Sequence, residues 1–406
     1  MSYELGDVAI ENLTMTSSRG TVDLAPMCFG ISIYESLFTP GIVMDVTVID
    51  SQDVMGTLRL QGDETIALVM SVPGSIRTTY QLAVYEVSGV TSVGAQSGKT
   101  YDVKAVSLET IKAKTNYVMK AYHSLCSDVV KDIHSTFLGS KKPIVLEPTM
   151  GVQDLVVPNM DPYKAIKMIT RRSVSPENKS CSYVYFESVP GGTQTSSFVT
   201  IESLFGKSSV KEFVRSDAVS ADITKRTDNN ILSLSTPRAT NSLDRVDIGG
   251  NRRVITYNHT TQQFNTNVVS TSSSSFKTGG NNQESQYFDK TFGSDTPSSI
   301  FVPVDWNERA ETYIAQAAAA KSAYVALLLQ NSIKLKVVGD TVLTAGCRII
   351  AHYPDRTALS GAPKDDPLLS GSFVCARLHH RIGPLQQRPR FTTTMECVKA
   401  GTGAQS

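Results

Sequence analysis

The chain has 406 residues, 40% hydrophobic and 19% charged, which is ordinary for globular folds and enough for two to four domains. Thirty-nine Lys and Arg against 38 Asp and Glu leave a formal net charge of +1, which excludes a global attraction to nucleic acid or to an anionic membrane. The six cysteines (Cys28, Cys126, Cys181, Cys347, Cys375 and Cys397) form no C-x-x-C pair, and the opening MSYELGDVAI lacks a basic region followed by an apolar core, so free thiols in a cytoplasm are expected.

In chain order, the first hundred or so residues alternate with period two. Ile42, Met44, Val46 and Val48 share one face while Asp45 and Thr47 take the other, as in a half-buried strand. Further strands are predicted at Phe29 to Tyr34, Thr65 to Met70, Tyr80 to Val87 and Tyr101 to Leu108, with turn signals at Pro40-Gly41, Gly62-Asp63 and Pro73-Gly74. Short strands at this spacing predict an antiparallel barrel or sandwich. From Asn116 the spacing of Val118, Tyr122, Leu125, Val129, Ile133 and Phe137 predicts an amphipathic helix ending at Gly139. A second helix opens at Pro162, capped by Asp161 and facing inward through Ile166 and Ile169. Strands at Tyr183 to Glu187 and Phe198 to Ile201, joined at Gly191-Gly192, complete an α+β middle segment.

Weaker strand signals run from Lys211 to Val254. From Asn258 to Ser299 the chain is dominated by polar residues, as in TSSSSFKTGGNNQ, and predicts a long loop or insertion. A helix is predicted from Trp306 to Asn331; its apolar part contains Lys321 and falls short of the ~20 residues of a membrane span. Strands return at Ile333 to Val338, Cys347 to Tyr353, Ser372 to His380 and Phe391 to Val398.

Catalytic patterns are lacking. There is no G-x-S-x-G, no Walker loop, no H-E-x-x-H and no dinucleotide fingerprint. The acid pairs Asp45 with Asp50, Asp128 with Asp132 and Asp365 with Asp366 lack the aromatic and glycine neighbours of a sugar site. His123 and His134, placed on one helix about 16 Å apart along its axis, cannot share a metal with Cys126. His379 and His380, adjacent on a strand, point to opposite faces. No catalytic, cofactor-binding or metal residue is assigned, and no cofactor is expected.

The order of PYKAIKMITRRSV, SYVYFES and IESLF from Pro162 to Phe205 resembles the baseplate hub protein of contractile-tailed bacteriophages, related to the N-terminal hub part of the VgrG spike proteins of type VI secretion. FGISIYESLFTPGIVMDVTVIDSQDV near the start, and GDTVLTAGCRIIAHY, SGSFVCARLHHRI and RFTTTMECVKAG near the end, extend the resemblance along nearly the whole chain. It implies a mainly β, α+β fold in which two similar antiparallel tube-type β-barrels bracket a mixed middle domain. Residues 1–110 are expected to form the first barrel, 111–207 the middle domain, 208–257 the start of the second barrel, 258–305 a polar insertion, and 306–406 a helix with the rest of the second barrel. SLFTPGIVMDVTVID and VLTAGCRIIAHYPD suggest an internal duplication.

The resemblance further implies a structural, non-enzymatic virion protein of the tail baseplate, assembled in the host bacterial cytoplasm. As a homotrimer it would ring a channel through which the genome passes without specific binding. A central spike protein would lie below, and a tail tube protein or tube initiator above. Other baseplate proteins, and a tape measure protein, would be further contacts. Ile42, Met44, Val46 and Val48 are expected to be barrel core, and Asp45 and Thr47 to face the lumen or a neighbouring subunit. The alternative is a receptor- or glycan-binding tail module.

Overall fold

The computed structural model describes residues 6–93, 98–177, 181–215, 229–236, 251–258, 262–270, 299–304, 332–354, 365–366, 369–385 and 390–399. The first part carries β1 (Ala9–Ser17), β2 (Gly20–Asp23), β3 (Cys28–Ser36), β4 (Val43–Asp50), β5 (Thr65–Ser71), β6 (Thr78–Val93) and β7 (Gly98–Val106). The middle carries β8 (Val118–Ser124), β9 (Ile144–Leu146), β10 (Gln153–Met160), β11 (Tyr183–Ser188) and β12 (Thr195–Thr200), with helices at Leu108–Thr115, Cys126–Asp132, Pro162–Thr170 and Ile201–Phe205. Then follow β13 (Ser209–Val214), β14 (Ile231–Ser235), β15 (Asn251–Asn258), β16 (Gln263–Ser270), β17 (Ser299–Val304), β18 (Ser332–Val338), β19 (Arg348–His352), β20 (Gly371–Gly383) and β21 (Arg390–Val398).

The fold is mainly β and largely antiparallel. One sheet joins 13 strands in the order β14-β18-β21-β20-β3-β4-β7-β6-β5-β1-β2, with β19 beside β20 and β13 beside β19. Its first half coils around a single core that takes Leu13 and Met15 from β1, Ile31 and Ile33 from β3, Leu68 from β5, Leu82 from β6 and Val103 from β7. Among the described residues no strand pairing closes either half into a barrel. Alternation explains β4: Met44, Val46 and Val48 are fully buried together with the preceding Ile42, each worth about 1.5–3 kcal/mol relative to exposure.

The middle segment has its own core, including Val129, Ile133, Leu155, Ile166, Ile169 and Phe198. Asp161 caps the Pro162–Thr170 helix, its carboxylate accepting from the backbone N–H of Tyr163 at 2.8 Å and of Lys164 at 3.3 Å. Leu37, Phe186, Leu204, Ala345 and Val374 form a further cluster where the middle meets both halves of the large sheet.

Four expectations change. The helix predicted from Asn116 begins only at Cys126, and Val118–Ser124 is a strand paired with Gln153–Met160. Val118 and Tyr122 are four apart, a spacing that keeps residues on one face in either a helix or a strand, so the period alone does not separate the two. His123 accordingly lies on β8, not on a helix. Ile201 opens a helix rather than closing a strand, with Thr200 Oγ1 accepting from Ser203 N at 3.3 Å. Finally, the polar insertion contains β16, which pairs with β15, so it is not loop throughout: a backbone ladder from Asn251↔Ser270 to Asn258↔Gln263 holds it extended. The remainder of that polar stretch, 271–298, and the helix predicted from Trp306 to Asn331 lie outside the described residues.

Candidate functional site

The side of the large sheet away from its cores is polar, and its charges fall in rows across the strands. In the first half Asp45 on β4 stands opposite Lys104 on β7, and Lys104 opposite Glu86 on β6. Lys104 Nζ is 2.9 Å from Glu86 Oε1, and Thr47 Oγ1 donates to Asp102 Oδ1 at 2.7 Å. Partial burial raises the Asp45 carboxyl above its ordinary range, opposed by Lys104 and reinforced by Asp102 and Glu86. In the second half Lys334 on β18 stands opposite Glu396 on β21, and Glu396 opposite Arg377 on β20, with Arg377 Nη1 3.0 Å from Glu396 Oε2.

These rows occupy the same place in two repeats of one design. The first half orders its strands β3-β4-β7-β6-β5-β1, and the second β14-β18-β21-β20-β19-β13. Leaving out β2 and the separate β15–β17 sheet, both orders read second, third, sixth, fifth, fourth and first strand by rank in the chain. Two irregularities match as well, while a second skip in β6, between Ser88 and Thr91, has no counterpart in β20. β6 skips a residue between Val84 and Glu86, just after its last pairing with β5 at Ala83. β20 skips one between Cys375 and Arg377, just after its last pairing with β19 at Val374. β3 bulges between Cys28 and Gly30, and β14 between Ile231 and Ser233. A bulge places one extra residue at a defined point of a ladder, so coincident bulges align the repeats residue by residue. By that alignment Asp45, Lys104 and Glu86 correspond to Lys334, Glu396 and Arg377, with every sign reversed. One departure stands out: β13 runs parallel to β19, whereas β1 is antiparallel to β5.

The duplication therefore lies at a different offset from the sequence comparison. VLTAGCRIIAHYPD contains β19, which stands in the place of β5, while β4 corresponds to β18. The two segments share a glycine turn before an apolar strand, a pattern any hairpin of the fold provides.

The halves join where β3 pairs with the second part of β20, from Ser36 opposite Arg377 to Ile31 opposite Ile382. Across this joint the rings of Tyr34 and His379 stack at 4.4 Å. They line a depression of about 450 Å³ with Lys334, Arg377 and Glu396. Burial, and then Arg381 and Lys334, lower the basicity of His379. His380 points the other way into the core, where it is bonded to Thr393 Oγ1 at 2.8 Å and the Leu343 carbonyl at 3.1 Å and is pushed down to about 4 by burial.

Of the residues singled out in the sequence, Ile42, Met44, Val46 and Val48 sit together in the first core, and Asp45 and Thr47 lie on the opposite, polar face. The sequence reading did not single out Glu86, Lys104, Lys334, Arg377, Glu396 or the Tyr34–His379 stack. Their signal was the polar alternate positions of predicted strands, which becomes a row only once strand order is known. Elsewhere Cys126 is buried, His134 Nδ1 is 2.9 Å from Tyr185 Oη, and Asp50 accepts from the N–H groups of Gln52, Val54 and Met55. Among the described residues no His, Cys, Asp and Glu cluster is placed to hold a metal ion, and no helix is long and apolar enough to cross a membrane.

No protein-family model matches the sequence, and no curated protein is significantly similar to it. Solved structures do share its architecture. A tail protein from Neisseria meningitidis MC58 is 11% identical with a TM-score of 0.58, each chain covering 96% of the other. The 43 kDa tail protein of prophage MuSo2 from Shewanella oneidensis is 9% identical with a TM-score of 0.52, over 96% of this chain and 98% of that one. A type VI secretion component from Escherichia coli, itself described as structurally similar to the T4 bacteriophage tail proteins gp27 and gp5, is 8% identical with a TM-score of 0.50, over 98% of this chain and 79% of that one. The chain thus has the fold of these phage tail proteins and of the type VI secretion component over nearly its full length.

Proposed function

We propose that this protein is the structural central hub of a contractile phage tail baseplate: a homotrimeric ring that adapts a threefold spike to a sixfold tail tube and encloses a channel for the genome. The observation that carries this reading is the repeat of one six-strand order within a single continuous sheet. Three copies of such a chain offer three identical faces to one partner and six near-equivalent units to another. The shared fold with phage tail proteins supports the same reading. Asp45 and Thr47 then belong to the channel-lining face. In the two charged rows three acidic residues, Asp45, Glu86 and Glu396, offset three basic ones, Lys104, Lys334 and Arg377. Lys336 and Arg381 share that face with Asp102, so the signs are interspersed and no single-sign basic strip is formed to hold phosphates, which suits nucleic acid that must pass and not stick. The role is mechanical and carries no reaction. The central spike lies below, and the tube protein or tube initiator above. Other baseplate proteins are neighbours, and the virion is the site of action.

Electron-microscopy class averages with solution mass test it. A threefold ring of three chain masses with six similar lobes around a hole is the expected result. A chain that stays single in the presence of its spike would overturn it. The β15 to β17 sheet favours a second reading, a receptor- or glycan-binding module. It holds Phe264, 65% exposed, with its ring 4.7 Å from that of Tyr257. Under that reading Phe264→Ala abolishes host adsorption while ring assembly is unchanged.

A further inference from the structure

Among the described residues, two strand edges of the repeat pair with no other strand, and they are the counterparts of two that do. Within the chain, β3 pairs with the part of β20 beyond its contact with β19. In the repeat, β6 corresponds to β20 and β14 corresponds to β3. Among the described residues, no strand lies beside β6 past Ala83 on its β5 side, and β14 pairs with no strand but β18, the Ile231 and Leu232 carbonyls at its start accepting from Arg215 Nη1. We propose that these edges pair with each other between copies of this chain, β6 of one copy with β14 of the next, repeating the in-chain joint. This names the contact by which the ring proposed above closes, and it rests on that reading.

Three observations beyond strand order favour a second copy as the occupant. First, an unpaired edge is a row of unsatisfied backbone donors and acceptors, and here it carries exposed apolar side chains: Tyr85 and Val90 on β6, 45% and 51% exposed, and Leu232 at the β14 bulge. Leu232 sits where the repeat has Phe29, which is also exposed and also at a bulge.

Second, the charges at the joint suit that neighbour. In the chain, Arg381 on β20 stands opposite Ser32, which in turn stands opposite Asp45. Between copies the corresponding places are Thr91, Ser235 and Lys334, so an uncharged residue falls beside the lysine. A second half set against another second half would instead bring Arg381 beside Lys334. Avoiding that like-charge contact selects alternation of halves around the ring.

Third, the repeat fixes the register. Ser32 pairs with Asp45 and with Arg381. Its counterpart is Ser235, which pairs with Lys334. Arg381 pairs with Thr392 on β21, and Thr91 pairs with Thr100 on β7 at the corresponding position. Ser235 of one copy should therefore stand opposite Thr91 of the next.

Cysteines at directly opposed strand positions lie about 4.5–5.5 Å apart at Cα, within disulfide range. All six native cysteines are buried, and Thr91 and Ser235 are exposed, so the background is low and the substitutions are mild. The experiment oxidises three preparations of the full chain, with its mass in solution measured first. Equal parts T91C and S235C should give covalent dimers on a non-reducing gel. The double variant T91C/S235C should give linked trimers, and S32C/R381C should close within one chain. Rings that form while T91C and S235C stay unlinked, with S32C/R381C closed, would overturn the proposed joint and leave the hub reading standing. Absence of any assembly, with S32C/R381C closed and the spike present, would overturn the hub reading and the joint with it.

Discussion

Glu35 sits buried where β3 meets the second half of the sheet and the middle segment. Its Oε2 accepts from the backbone N–H of Ala345 at 2.9 Å, and Oε1 is without a partner. Burial, and secondarily the nearby Glu187 carboxylate, push it up to about 8. A carboxylic acid raised in the folded state holds a proton that the unfolded chain has released. Its contribution is complete below the unfolded value near 4.5 and declines as pH rises through about 8. Stability should therefore fall by about 1.4 kcal/mol per pH unit across that window from this group alone. Glu35→Gln should flatten the profile and raise the melting temperature at pH 8, which thermal denaturation at stepped pH would read.

Lys142 presents the opposite case. Its Nζ lies 2.6 Å from Glu109 Oε2 and 2.7 Å from Glu187 Oε1, with all three side chains largely buried. The same lysine leaves Glu109 below its ordinary value and Glu187 above it, because Glu187 is more deeply desolvated. Lys142→Met strands two carboxylates and should cost about 3–5 kcal/mol in chemical denaturation at neutral pH. None of this was legible in the sequence. Nothing in the sequence sets Glu35, Glu109 and Glu187 apart, since burial by distant segments leaves no local mark. The inward set of β4 was legible, because Ile42 to Val48 alternates without interruption.

At the scale of elements, local chemistry decided what could be foreseen. The Pro162 helix announced itself through Asp161 and a proline at its first position, both acting within one turn. The stretch from Val118 to Ser124 did not, because its apolar spacing serves either structure and the choice was made by pairing with β10. The joint between the middle segment and β6 depends on Gly192. Its φ is +85°, and a Cβ there would lie 2.1 Å from the Arg77 carbonyl oxygen. Gly192→Ala must distort the backbone on one side or the other and should lower stability by at least about 1–3 kcal/mol. A surface control such as Gly151→Ala, also at positive φ but with open space around it, separates the steric part from the conformational part. The charged rows make a further prediction at this scale. Lys104→Glu sets like charges opposite each other across three strands and should cost about 0.2–1 kcal/mol, and adding Glu86→Lys should recover part of it in a double-mutant cycle.

For the whole molecule, the halves are repeats in order but not independent bodies. Ile382 and Phe391 from the second half lie in the first core, and β20 carries hydrogen bonds of both halves. Calorimetry should therefore show the two halves melting in one transition, and two resolved peaks from them would mean that the joint is weaker than its packing indicates. The sequence could not expose this relation, since the halves share strand order and bulges while their charges are opposed. The joint also carries a cost in time. Glu35 and its partner Ala345 are 310 residues apart. At roughly 5–20 residues per second of synthesis, about 15–60 s pass before Ala345 is made, and β3 waits longer still for β20, the strand that covers it. During that interval its edge, with Phe29 and Tyr34 exposed, is open to nascent copies on the same messenger. Under the proposed ring, a chain whose finished form leaves edges for its neighbours must, while it is being made, keep this one for itself.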